Sequence, residues 1–210
     1  MFRWFGRKSK PSARDRLASL LKLNDQQFAE AVAGMMARAD QATCAMIVVA
    51  HCNYGPIEGA LEQSMRRQGK SPDCPEADHL RDLALRQILE KEPRNAIESR
   101  RDWWLASAML IRRLDRRARR SPPLSTSASS IWARLIDGAQ LVPKLLENNT
   151  VWTPNEKRYV LASMSRDGVT PPSSRDAMHF VLRMLLPRDY QAADTIGAVV
   201  QQHGLKYFGE

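Results

Sequence analysis

No apolar run in this chain reaches the roughly 18–20 residues that a membrane-spanning helix needs; residues 44–50 and 103–111 come nearest and fall well short. Residues 1–10 hold cations and aromatics but lack the apolar stretch of a secretory signal. Cysteine is scarce: Cys44, Cys52 and Cys74 are too few, and odd in number, for a disulfide framework. These absences point to a soluble protein of a reducing cytoplasm with no transmembrane span. Apolar and polar residues nowhere alternate convincingly, which removes the strand signal, and no unit repeats at a fixed period. A glycine-rich phosphate loop, a nucleophile elbow and a His-Glu metal helix are also missing, so no reaction and no cofactor is implied.

What the chain does have is positive charge, +9 over 210 residues. Such an excess suits nucleic acid, an anionic membrane surface or an acidic protein partner, without choosing among them. Its distribution is more informative. Residues 1–16 carry six cations against Asp15, a net of +5, and residues 94–120 carry nine arginines against Glu98, Asp102 and Asp115, a net of +6. The remainder therefore sums to −2: a slightly acidic body bears two basic patches.

Helix signals run along the whole sequence. Ser12 with Asp15, and Asn24 with Gln27, have the spacing of helix starts. Phe28, Val32, Met35, Ala39, Ala42, Met46 and Val49 recur every three or four residues, which predicts one helix to about His51. Asn53, Tyr54, Gly55 and Pro56 read as its end, with Pro56 in the first turn of the next helix, which closes at Gly69. Pro75 opens a helix through Leu80, Leu83, Ala84, Ile88 and Leu89, and Asn95 or Ser99 opens another. The middle of that last helix, 103–111, is apolar on nearly every side and must be buried, whereas its final two turns are arginine-rich and should project into solvent.

Residues 121–130, with Pro122 and Pro123 among serines and threonines, read as a linker. A helix over 131–148, broken near Gly138 or Pro143, follows it, and Thr153-Pro154-Asn155-Glu156 is the sharpest helix start in the chain. Beyond it, residues 176–186 read as a buried helix and Tyr190 to Val200 as a last one. The expected organisation is an arm over 1–12, helical parts over 13–120 and 131–210, and the linker between them. The fold expected is all-α, about eight or nine helices packed as an irregular bundle or as two lobes.

Two constellations suggest binding. Arg112, Arg113, Arg116, Arg117, Arg119 and Arg120 stack at helical spacing into a cationic face, and guanidinium groups donate paired hydrogen bonds to phosphate oxygens. The same run also suits a solvated helix end whose cations complement the macrodipole. In the arm, Phe2, Arg3, Trp4, Phe5, Arg7 and Lys8 interleave aromatics with cations, which suits either a membrane interface or added phosphate contacts.

The candidates for chemistry are weaker. His51, Cys52, Cys74 and His79 have no metal-site spacing, and neighbours such as His51 and Cys52 diverge by about 100° on a helix; no metal is expected, and Cys44 and Cys52 suit a core. Asp176, His179 and Arg183 share one stripe and could orient a general base, although a polar seam that satisfies itself is the plainer explanation. His79 with Asp78 and Asp82 stands in the same position. The function expected is a non-enzymatic cytoplasmic binding or regulatory protein that engages nucleic acid through the arginine helix. The alternatives are a protein-interaction module held at the inner membrane surface by its arm and, third, an enzyme of unrecognised type.

Overall fold

Eight α-helices and no strand make up the described residues of the computed structural model, which are 12–121 and 124–164 apart from the side chains of Arg119, Ser125, Thr126 and Ser129. They are α1 (Ala13–Leu20), α2 (Asp25–Ala37), α3 (Gln41–Arg67), α4 (Pro75–Glu90), α5 (Ala96–Arg120), α6 (Ser125–Ala139), α7 (Val142–Glu147) and α8 (Pro154–Met164). Most starts are fixed by a side chain that accepts from a backbone N–H left unpaired at the helix end. Ser12 and Asp15 form a reciprocal box at 3.0 and 2.9 Å. Asn24 accepts from Gln27 N at 2.9 Å, Asn95 from Glu98 N at 2.8 Å, and Thr153 and Glu156 cap α8 reciprocally. Gly69, at φ 70°, turns the chain out of α3 in the left-handed region that glycine enters without penalty.

Helix α3 is the axis of the fold: residues 44–52 are buried on every side, and the helix packs against α6, α5, α7 and α8. Its closest neighbour is α6, which approaches at Gly138. A Cβ there would lie 2.5 Å from Cys44 Cβ and 2.7 Å from Ala45 N, so only hydrogen lets the two backbones meet. Around this contact one apolar cluster runs from Leu17 to Met164. Each large side chain fully buried in it, such as Ile47, Leu110 or Leu135, contributes about 1.5–3 kcal/mol of hydrophobic stabilisation. Trp104 of α5 stacks on Trp152 at 6.2 Å, and Arg101 lies over the same Trp152 ring while pairing with Glu156, which fastens α5 to the start of α8.

Four expectations are corrected. The helix expected over 28–51 is two, because Asp40 accepts from Thr43 N at 2.7 Å and starts α3 afresh. The stop expected at 53–56 is absent: α3 passes through Pro56. Proline inside a helix costs about 3 kcal/mol, but Cys52 and Tyr54 before it and Glu58 after it are all buried, and that packing holds the axis continuous.

Within the linker expected over 121–130, residues 125–130 are instead the first turns of α6, drawn into the core by Leu124, Ala128, Ile131 and Leu135 at helical spacing. In α4 the buried stripe is Ala77, Arg81, Leu85 and Leu89, while Leu80 and Leu83 are exposed. An arginine in that stripe is the first sign of where the charges go. No helix of the described residues is long and apolar enough to cross a membrane.

Candidate functional site

The C-terminal half of α5 presents Arg112, Arg113, Arg116 and Arg117 to other helices rather than to solvent, correcting for these four the projection expected from the sequence. Arg112 turns inward: its Nε donates to His51 Nδ1 at 3.1 Å, its Nη2 to the His51 carbonyl at 3.4 Å, and its guanidinium lies 5.7 Å from the centre of the Tyr54 ring. Arg113 pairs with Asp82 at 2.6 Å, and Arg117 pairs with Asp25. These two guanidiniums also cover the Phe28 ring, at 5.6 and 5.2 Å from its centroid. Arg116 reaches Glu58 at 3.5 Å and Asp78 at 3.3 Å; Arg120 reaches Asp78 at 3.6 Å and donates to the Asp73 carbonyl. The side chain of Arg119 lies outside the described residues.

The inner layer of this arrangement is a buried ion cluster. Glu58 accepts from Arg81 Nε at 2.6 Å and from the Tyr54 hydroxyl, while Arg81 also bonds Asp78 and the Pro72 carbonyl. Two guanidiniums therefore share one buried carboxylate, and Glu58 Oε2 and Arg81 Nη2 have no hydrogen-bond partner among the described residues. Removing charges from water costs several kcal/mol per ion. The geometry must offset that cost, and it fixes how α3, α4 and α5 sit on one another. Sequence reasoning passed over Glu58, Arg81 and Asp25. Charged residues placed in apolar stripes, Arg81 between Ala77 and Leu85 and Glu58 between Tyr54 and Met65, were the available signal.

Outside this layer, α4 and α5 leave a small cleft of about 30 Å³, partly open to solvent, lined by Asp78, Asp82, Arg113, Arg116, Arg117 and Arg120. Four guanidiniums face two carboxylates there, a net of +2. Side-chain exposure rises along the cleft from 10 and 13 % at Arg116 and Arg113 to 25 % at Arg117 and 51 % at Arg120. The last two arginines are the more accessible of the four.

Burial, and then the adjacent Arg112 guanidinium, hold the His51 imidazole well below its ordinary value of 6.5. Its Nδ1 accepts from Arg112, so the ring is neutral with its proton on Nε2. In the unfolded chain this side chain gains a proton near pH 6.5, while in the fold it stays neutral to much lower pH. Stability from this group is therefore full above about pH 6.5 and falls as the pH drops, by up to about 1.4 kcal/mol per pH unit for one proton. Burial raises the Glu58 carboxyl, but Arg116, Arg81 and the Tyr54 hydroxyl outweigh it and leave it below its ordinary 4.5. Its contribution is present above about pH 4.5 and is lost in stronger acid. The urea midpoint of the wild type is expected to fall between pH 7 and pH 5, and the fall to flatten in His51→Gln; an equal fall in both would contradict this assignment.

The same burial leaves little for covalent chemistry. The Cys52 thiol is pushed up to about 12 by burial, and Cys44 is raised for the same reason, so neither is a ready thiolate. His79 is exposed on α4, and among the described residues no three His, Cys, Asp or Glu side chains gather as a metal site. Asp176, His179 and Arg183, and the arm residues Phe2, Arg3, Trp4, Phe5, Arg7 and Lys8, lie outside the described residues. No protein-family model, no curated protein and no solved structure matches this chain.

Proposed function

We propose that this chain is a non-enzymatic binding protein that contacts nucleic-acid phosphate at the open end of α5, through Arg117 and Arg120 at the rim of the cleft. The observation that carries the reading is the excess of guanidinium over carboxylate in that cleft, four against two. Guanidinium suits phosphate oxygens in geometry and keeps its charge under all ordinary conditions. Arg112, Arg113 and Arg116 are held by His51, Asp82, Glu58 and Asp78 and serve the fold first. Nothing in the cleft distinguishes bases, so the binding is to backbone and independent of sequence.

Pairing limits how strongly salt can act. Each phosphate neutralised on duplex DNA adds about 0.9 to the slope of log affinity against log salt, so two contacts give about −2 and six unpaired arginines would give about −5. Fluorescence anisotropy with a labelled duplex and a labelled single strand, from 50 to 200 mM salt, reads this slope directly. The expected result is weak binding with the shallow slope, lost in Arg117→Gln/Arg120→Gln without a change in helix content. Absence of retention by the wild type at the lowest salt, or binding indifferent to the two substitutions, would overturn the reading.

A further inference from the structure

Charge does not balance around Asp78. Its one carboxylate is approached by three guanidiniums, Arg81 and Arg116 at 3.3 Å and Arg120 at 3.6 Å. Asp82 holds Arg113, and Arg117 has its partner, Asp25, on α2 outside the cleft lining. Arg116 lies almost wholly buried, yet its Nε makes no well-formed hydrogen bond and its approach to Asp78 is long for an ion pair of this kind. Burial and the neighbouring Arg81 lower its affinity for a proton, the signature of a cation that its surroundings under-compensate. A carboxylate offers two oxygens and one charge, which is less than this ring of donors can take.

We propose that the cleft between α4 and α5 is a binding site for a phosphate dianion, free or as a terminal phosphomonoester. In it Arg117 and Arg120 make the first contacts, and Asp78 is a resident competitor that yields Arg116 and Arg120 to the ligand. A phosphomonoester carries close to two negative charges at neutral pH and three acceptor oxygens, more than the single carboxylate of Asp78 offers the three guanidiniums around it. A backbone diester carries one charge and two unesterified oxygens, no more than the carboxylate it would displace. The inference rests on the phosphate-contact reading above and narrows it from a run of diesters to a single terminal group. Displacement of Asp78 is local: Glu58 still holds Arg81 and Arg116 behind it, so entry of the ligand leaves the buried cluster in place.

The test uses the full chain. Isothermal titration with inorganic phosphate, against chloride at matched ionic strength, is run on the wild type, Arg120→Gln and Asp78→Asn. Anisotropy with one oligonucleotide bearing a 5′-phosphate or a 5′-hydroxyl distinguishes a polymer end from free phosphate as the source. The expected results are saturable phosphate binding, weakened about tenfold or more in Arg120→Gln and tightened in Asp78→Asn. Should Asp78→Asn fail to fold, the more exposed Arg120→Gln decides. A 5′-phosphate preference of about tenfold identifies the polymer end as the ligand; phosphate binding with no retention of either oligonucleotide keeps the site and removes the nucleic-acid reading. Oligonucleotide binding that ignores the 5′ group, with no phosphate binding above the chloride control, overturns the inference and leaves the diester reading standing.

Discussion

Glu58→Gln is expected to destabilise the fold by about 3–5 kcal/mol, the cost typical of breaking a buried ion pair by removing one partner. Glu58 is 4 % exposed and stands between Arg81 and Arg116, whose guanidiniums are buried with it. Glutamine keeps the shape and one acceptor, but it leaves two desolvated cations to share Asp78 and turns an amide N–H₂ toward one of them. The loss is then dominated by uncompensated charge and not by a cavity. At about 2–4 °C per kcal/mol for a chain of this size, the melting temperature should drop by roughly 6–20 °C. Arg120→Gln, which alters a half-exposed pair, should change stability by less than about 1 kcal/mol. Urea unfolding followed by far-UV circular dichroism separates these values. A loss under about 1 kcal/mol for Glu58→Gln would mean that the cluster contributes little to holding α3, α4 and α5 together.

Gly138→Ala tests the other fixed point, the crossing of α3 and α6. The added methyl would lie 2.5 Å from Cys44 Cβ and 2.7 Å from the Ala45 amide, far inside van der Waals contact. Both obstacles belong to the first turn of α3 or its backbone, so no flexible side chain can swing aside and the helices must separate. Overpacking of this kind costs about 1–3 kcal/mol and sometimes more; with backbone as the obstacle the upper end is expected. Alanine favours an isolated helix by about 1 kcal/mol over glycine, so a stabilised variant would contradict the close approach. Gly59, whose Cβ position meets nothing within 4 Å, provides the contrast: Gly59→Ala should be neutral or stabilising in the same assay.

Local features were readable from the sequence because they are decided within a few residues. The caps at Ser12, Asn24, Asn95 and Thr153 each join residues three apart, and the glycine at 69 ends its helix through its own backbone freedom. The helical period likewise announced an all-α fold of about eight helices. What was not readable depends on partners far away in the chain. Arg113 meets Asp82 at a separation of 31 residues and Arg117 meets Asp25 at 92, and periodicity places the arginines on one face of α5 without saying which helix that face will touch. The continuity of α3 through Pro56 is of the same kind, a local penalty outweighed by tertiary burial. Part of the basic patch over 1–16 has a parallel fate. Arg14 donates to the Ile88 and Lys91 carbonyls at the end of α4 and pairs with Asp102 of α5, so it closes a helix end.

Arg113, Arg116 and Arg117 turn inward onto carboxylates of other helices, and the proposed phosphate contact is confined to the open end of α5. A double-mutant cycle between Glu58 and Arg116 in the full chain measures the inward pairing, using Glu58→Gln, Arg116→Gln and the pair. Direct coupling predicts that the double variant loses less stability than the two single losses combined, with an interaction energy of about 1–3 kcal/mol. Losses that add to within about 0.5 kcal/mol would show that Arg116 does not engage Glu58, and would return the run to solvent as an unpaired basic face.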